Sequence, residues 1–287
     1  MKLSIIILNF NTKDLTLNCL RSLEKVKKEV QFETIVVDNG SSELFVIPTK
    51  VEESLKIRLV KNKSNLGFAG GNNLARKYVK SEYVLFLNSD TEVHKNTLKE
   101  TVKYLDEHIN VGALTCKTIL PSGKLDKDAR RSFPTPWVAF THFSGLDKVF
   151  PNSKIFSRYW YGYNSSDEIQ TIDALQGAFF LTRKKVLNEV NWFSEDYFLD
   201  GEDIDLSWKI INSGYKNIYY PLVSILHVKK ASKKKRSLKS AMAGMNSMEI
   251  FFKLRLWKNY PLVLNFMVLI AIYLMKAIRF TKTILPI

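Results

Sequence analysis

Three groups of polar residues in this chain could do chemistry. Asn88-Ser89-Asp90 follows the apolar run Tyr83–Leu87. A carboxylate at the end of a buried strand can hold a divalent cation that bridges nucleotide phosphates, although an ordinary turn reads the same way. Glu202, Asp203 and Asp205 crowd together after Gly201, ahead of an apolar-periodic segment. Such a cluster compensates the positive end of a helix dipole. Crowded carboxylates also raise one another's pKa, which can poise a general base near neutrality. His227 closes the apolar run Val223–Leu226 and reads either as a satisfied edge residue or as a neutral imidazole ligand.

Two further stretches carry weaker signals. Asn65 to Asn73 is rich in Gly and Asn and enters a helix, so its backbone could approach a nucleotide closely. It is neither a dinucleotide-binding fingerprint nor a Walker loop. Arg130-Arg131 lies in a proline-punctuated region and is either a solvated loop or a pair of cations for a diphosphate or lipid phosphate.

The elements that must position these groups alternate. Leu3–Leu8, Thr34–Val37, Ile57–Val60, Tyr83–Leu87 and Gly112–Cys116 read as buried strands. Helices are predicted between them: one carrying Leu15, Cys19, Leu23 and Val26, one over Asn72–Val79, and one carrying Leu98, Val102 and Leu105. Asn11 or Thr12 is the candidate cap of the first. This order predicts an α/β fold with a mostly parallel sheet covered on both faces. Ligands of such sheets bind beyond the carboxyl ends of the strands, so Asn9 to Asn11, Asp38-Asn39 and Asn88 to Asp90 are the positions to watch. From Pro121 to about Asp167 the pattern loosens into aromatic-rich loops and short helices suited to covering a cleft. Regular structure returns at Ala178–Thr182, at Ile204–Ser213 and at Asn217–Leu226.

Charge is distributed unevenly. The 287 residues carry a net charge of +15, and from Leu206 onward there are 15 Lys and Arg against one acid, Glu249. The body is nearly neutral and the tail is a cation, which implies an anionic partner surface. Lys229 to Lys239 is the most basic stretch. Met242–Lys258 can form an amphipathic helix, and Leu262–Met275 is apolar except for Asn265. At that length the last segment falls short of the ~20 residues a bilayer crossing needs, so an interfacial or shallow placement is expected. Composition (46% apolar, 25% charged) excludes a disordered or collagen-like chain, and two cysteines exclude a disulfide scaffold and suit a reduced compartment. Met1 leads straight into a strand-like run, unlike a secretory signal.

In order, these pieces resemble a family 2 glycosyltransferase of the rhamnosyltransferase-like branch. The resemblance runs from Lys2 to about Val228. It rests on Ser4 to Asn11, Ile35 to Ser42, Asn65 to Asn73, Leu87 to Thr91, Gly177 to Leu181 and Phe198 to Leu206, closed by His227. It implies a GT-A fold over residues 1–228, followed by a helical tail over 229–287. It also implies inverting transfer of a sugar from a nucleotide diphosphate. By analogy, Asn9, Phe10, Asn11, Asp38, Asn65, Gly67, Asn72, Asn88, Ser89 and Asp90 line the nucleotide-sugar pocket. Asp90 and His227 hold Mg²⁺ or Mn²⁺, and Asp203, with Glu202 beside it, is the general base. The chemistry agrees, since displacement at an anomeric carbon needs charge neutralisation on the leaving diphosphate and one base for the attacking hydroxyl.

Two departures from the family pattern stand out. Asn88 replaces the first acid of the usual Asp-x-Asp. Asn191-Trp192 replaces a Gly pair, and Trp192 either stacks on the acceptor sugar or is a packing change. Arg130 and Arg131 are candidate acceptor or phosphate contacts. The expected partners are a dTDP- or UDP-linked sugar, a saccharide or lipid-linked acceptor, and an anionic membrane, with the enzyme at its cytoplasmic face. Two other classes compete: a nucleic-acid-binding protein using the basic tail, and a catalytically inactive sugar-binding module. Nucleic acid explains the charge of the tail but not the apolar segment after it, so no nucleic-acid partner is expected.

Overall fold

The computed structural model describes residues 1–229 and 238–284. The first half alternates as expected: β1 (Leu3–Asn9), α1 (Lys13–Val26), β2 (Phe32–Asn39), α2 (Thr49–Leu55), β3 (Ile57–Asn62), α3 (Gly67–Asn73), β4 (Tyr83–Asn88), β5 (Thr91–Val93), α4 (Thr97–Glu107) and β6 (Val111–Ile119). The covering region holds β7 (Arg130–Arg131), α5 (Pro136–Phe143), α6 (Leu146–Val149), β8 (Gln170–Ile172) and β9 (Ala174–Leu175). Then come β10 (Phe179–Arg183), α7 (Lys184–Glu189), α8 (Glu202–Asn212), β11 (Lys216–His227), α9 (Leu238–Phe251) and α10 (Leu262–Ile284).

The main sheet runs β3-β2-β1-β4-β10-β6-β11-β5, with β8 also paired to β11. Its β3–β4 half is parallel. Beyond β4 the sheet is mixed: β6 and β11 pair in parallel, but β10 inserts antiparallel between β4 and β6, and β5 and β8 pair antiparallel with β11. Strand direction is set by connections, and a long excursion such as residues 120–178 can return from either end. Periodicity cannot show which.

Alternation along β1 explains the two-sided core. Ile5 and Ile7 pack with Cys19, Leu20 and Leu23 of α1 and with Leu98 and Val102 of α4. Ile6 faces the other way, with Phe86, Trp192, Phe193 and Leu206. Both cysteines are buried free thiols. The helix expected over Asn72–Val79 begins earlier, at Gly67, and gives way to a 3₁₀ turn at Arg76–Tyr78.

The tail is not a separate layer. Phe251, Phe252, Leu256 and Ile272 form one apolar cluster with Phe133, Tyr197 and Ile204. Arg255 Nε donates to Asp205 Oδ1 at 2.7 Å, and that carboxylate is fully buried. Cutting the chain after Val228 would therefore remove the arginine of Asp205 and uncover the apolar cluster that α9 and α10 complete. The boundary read at 228/229 is thus a change in composition, not in packing.

Helix α10 runs for 23 residues, and Leu262–Thr281 is long and apolar enough to cross a membrane by length and composition. The shorter span read from sequence stopped at Met275 because Lys276 interrupts the apolar run. Lys276 instead pairs with Glu249 of α9, and Tyr273 Oη donates to the same carboxylate at 2.9 Å. Burial opposes ionisation of Glu249, but hydrogen bonds from Lys253, Lys276 and Tyr273 outweigh it and bring its pKa down to about 2. Asn265 is buried and donates to the carbonyls of Trp257 and Tyr260, which fastens the start of α10 to the preceding turn. The basic stretch read over Lys229–Lys239 lies mostly outside the described residues.

Candidate active site

The strand ends deliver the first half of the site. Asp90 follows β4, and β5 turns back to pair antiparallel with β11 so that Thr91 faces His227. That pairing brings Asp90 Oδ1 within 3.3 Å of His227 Nε2. The other ring nitrogen, Nδ1, lies 3.0 Å from Asp126 Oδ2. Lys229 Nζ donates to Asp126 Oδ1 at 2.8 Å and to Asp128 Oδ2 at 3.1 Å. Burial disfavours a charged imidazole, but hydrogen bonds to Asp126 and Asp90 outweigh it and lift the His227 pKa to about 9. Burial likewise opposes the charge on Asp126, and His227 and Lys229 hold its carboxyl far below the usual range.

The second half comes from the start of α8. Asp200 and Gly201 both have positive φ, at 65° and 89°. A Cβ on Gly201 would also lie 2.8 Å from Ser247 Cβ, so this turn needs glycine twice over. The turn aims Glu202 and Asp203 inward. Asp203 Oδ2 accepts from Arg131 Nη2 at 2.7 Å and from the Gly177 amide at 3.0 Å, while Oδ1 accepts from the Ile204 amide at 2.8 Å. Arg131 is held in turn by the Leu175 carbonyl at 2.8 Å.

Glu202 is buried, and its Oε2 has no hydrogen-bond partner in the structure. Burial first, and then the charge of Asp203, raises its pKa well above 4.5. A folded-state pKa above the unfolded one gives stability that is complete below pH 4.5 and lost as pH rises through the folded value. Glu202→Gln never ionises. Its melting temperature should therefore gain on the wild type as pH rises above 4.5, by roughly 2–4 °C for each kcal/mol of relieved burial. A constant difference across that range would show that Glu202 carries no such strain.

Asp90, His227, Lys229, Arg131, Glu202 and Asp203 line one cavity of ≈ 800 Å³, and Asp126 stands behind His227. Asn88, Asp90, Asp128, His227 and Lys229 supply polar wall, and Arg131, Gln176, Glu202 and Asp203 continue it. Phe10 and Phe68 lie on it too. Phe143 of α5 and Met245, Met248 and Phe251 of α9 form apolar wall, so the tail roofs the site.

Several expected residues do not line this cavity. Asn9 Nδ2 donates to Asp38 Oδ1 at 3.0 Å, and Ser41 and Thr12 join the same network. Asn11 Oδ1 accepts from the Ser42 amide at 2.9 Å, and Ser89 meets Thr12 at 3.0 Å. These groups brace the strand ends beside the cavity. Asn65 and Asn72 do internal work: Asn65 Oδ1 accepts from Gly67 N and Asn39 Nδ2, and Asn72 Nδ2 donates to the Phe68 carbonyl one turn back. Gly67 approaches protein backbone. Its φ is +77°, and a Cβ there would sit 2.1 Å from the Phe198 carbonyl oxygen.

Two candidate acceptor contacts are also corrected. Arg130 is buried, donates to the carbonyls of Ser165 and Asn164, and lies over Tyr219, so it pins a loop. Trp192 is 1% exposed, packs edge-on against Phe86 at 5.9 Å, and donates to Asn188 Oδ1. It is core, not a sugar platform. Asn191 and Trp192 have φ of 56° and 55°, the left-handed backbone that a Gly pair adopts without strain. Burial of the indole stabilises what that backbone costs.

Sequence reasoning missed Asp126, Asp128, Lys229 and Gln176. The signal was present as Asp126-Lys127-Asp128, an Asp-x-Asp just before Arg130-Arg131. Among the described residues no three His, Cys, Asp or Glu side chains form a metal-holding group. The Asp90–His227 pair still fits a divalent cation. One carboxylate oxygen and one imidazole nitrogen face each other, and Asp126 holds the far ring nitrogen as outer-shell carboxylates do. Two protein ligands leave the remaining positions to phosphate and water.

Known proteins place this arrangement. The chain is 28% identical over 170 residues to the rhamnosyltransferase WbbL of Escherichia coli, covering 56% of this chain and 60% of that protein. It is 33% identical over 111 residues to the Staphylococcus aureus poly(ribitol-phosphate) beta-N-acetylglucosaminyltransferase TarS, covering 38% of this chain and only 19% of TarS. The solved TarS fragment 1–349 with UDP-GlcNAc superposes with a TM-score of 0.59 at 19% identity, over 87% of this chain and 65% of that one. The Pyrobaculum calidifontis mannosyltransferase PcManGT, solved with GDP-Man and Mn²⁺, gives 0.60 at 18% identity, over 88% and 64%. The fold is therefore the GT-A fold expected from the motif order. The Glycosyl transferase family 2 profile matches residues 4–190, and with its carboxylates set at the strand ends and helix start described above, the chain belongs to glycosyl transferase family 2.

Proposed function

We infer that the chain transfers a sugar, with inversion, from a nucleoside diphosphate to a hydroxyl of a saccharide or lipid-linked acceptor at the cytoplasmic face of a membrane. One observation carries this reading: the strand-end pair Asp90–His227 and the helix-start carboxylate Asp203 line a single cavity. The solved relatives bind UDP-GlcNAc and GDP-Man, which supports a nucleotide-sugar donor here, dTDP-rhamnose or a UDP-sugar.

Asp203 takes the proton of the acceptor hydroxyl as its oxygen bonds to the anomeric carbon and the bond to the diphosphate breaks. Arg131 and the Gly177 amide hold the carboxylate in place for that step. Asp90 and His227, with the amide oxygen of Asn88, are the residues that would hold Mg²⁺ or Mn²⁺, which when bound neutralises charge on the departing diphosphate. Lys229 adds a fixed positive charge to the same wall. Helix α10 supports membrane attachment. One side packs on α9 through Ile272 and the Glu249 contacts, while Val263, Phe266, Met267, Ile270 and Leu274 face outward. That asymmetry favours a helix lying in the interface over one surrounded by lipid.

The test is a panel of UDP-GlcNAc, dTDP-rhamnose and GDP-mannose, read by thermal shift and by nucleotide release with Mn²⁺. One donor should stabilise the protein by about 2.7 kcal/mol at a hundred times its Kd and release nucleotide on turnover. A protein that neither shifts nor releases nucleotide with any donor is not this enzyme.

A further inference from the structure

The covering region presents an apolar surface that the reaction does not use. Trp137, Phe140, Val149, Phe150 and Ile155 of α5, α6 and the following loop are 47–68% exposed. They form one surface: Trp137 lies 5.8 Å from Phe140 and 6.1 Å from Phe156, which lies 5.2 Å from Phe150. Trp137 Nε1 donates to the Ile155 carbonyl at 3.1 Å, which ties the two ends of the patch together. A soluble surface seldom gathers so many large apolar groups without a partner.

The charges around the patch select that partner. Between Pro134 and Trp160 the exposed charged side chains are Lys148, Lys154 and Arg158. The single acid of the segment, Asp147, is buried and held by His142 Nδ1 at 2.7 Å. Aromatic and cationic groups without exposed acid match the boundary of an anionic bilayer, where rings sit at headgroup depth and cations meet phosphate. Position points the same way. Helix α5 lines the cavity through Ala139 and Phe143, and α9 lines it through Met245, Met248 and Phe251 and packs on α10, which has its own outward apolar row. Two apolar surfaces beside one cleft suit a planar partner.

We propose that the α5–α6 surface is a second membrane-contact site, which inserts into an anionic bilayer alongside α10 and sets the cleft mouth against the lipid surface. The proposal rests on the membrane reading of α10 but on separate residues, so the two can fail separately. The test uses the full chain and vesicles of phosphatidylcholine with about one-third phosphatidylglycerol. Phe140→Ser/Phe150→Ser should lower vesicle partitioning about tenfold while donor-induced thermal shift stays unchanged. Brominated lipid should quench wild-type fluorescence more than that of Trp137→Phe, a conservative change that reports insertion even if the double variant folds poorly. Val263→Ser/Ile270→Ser should weaken binding by its own increment.

Wild-type partitioning in the double variant, with equal quenching in Trp137→Phe, overturns the proposal while leaving α10 as the anchor. Loss of a dimer on sizing, with vesicle binding unchanged, assigns the patch to a second copy and also overturns it. No vesicle binding by the wild type removes both membrane readings.

Discussion

Asp203→Asn should lower the transfer rate by about 10²–10⁴-fold while leaving donor affinity nearly unchanged. The amide keeps the shape of the carboxylate but cannot accept the acceptor's proton. It also fits imperfectly, because three donors converge on Asp203, from Arg131, Gly177 and Ile204, and an amide has one oxygen to offer them. A stability loss of about 1–3 kcal/mol should accompany the rate loss, for the donor left unpaired. Product formation and calorimetric donor binding, measured on the same preparation, separate the two effects. Glu202→Gln provides the comparison. Its carboxyl is buried, and that burial and the charge of Asp203 raise its pKa and make it the poorer proton acceptor, so losing it should cost less turnover than losing Asp203. A larger loss in Glu202→Gln than in Asp203→Asn would falsify the assignment of Asp203 as the base.

Chelation of divalent cations should abolish transfer, and Asp90→Ala should weaken donor binding by about tenfold or more. The alanine removes one of the two side chains that face each other at the strand ends. His227 keeps its partner Asp126, so the fold at the end of β11 survives and the loss reads on the donor. Asn88→Asp should strengthen the apparent affinity in a Mn²⁺ titration, because a second carboxylate restores the charge that the amide lacks. Full turnover in excess EDTA would exclude the metal role, and an unchanged titration in Asn88→Asp would show that Asn88 faces away from the ion.

The sequence alone carried the buried strands, the motif order and the residue types of the candidate site. Leu3 to Leu8 had to be a strand buried on both faces, because apolar residues at five of its six positions leave no side for water. Asp90 and the Glu202–Asp203 pair were legible because a carboxylate just past a strand, or just inside a helix, follows from local pattern. What lies beside them was not legible. His227 meets Asp90 only because β5 pairs antiparallel with β11, and Arg131 meets Asp203 across 72 positions of chain. Asn72 and Trp192 have side chains suited to a ligand, yet burial directs both inward. Lys229 and the Met245 face of α9 looked like a separate tail because charge composition changes there, while the apolar cluster around Phe251 and Ile204 draws that tail over the site. Periodicity and turn chemistry act over a few residues and can be read along the chain. Strand order, ion pairing and burial are settled by which distant surfaces exclude water from one another, and only the folded chain decides that.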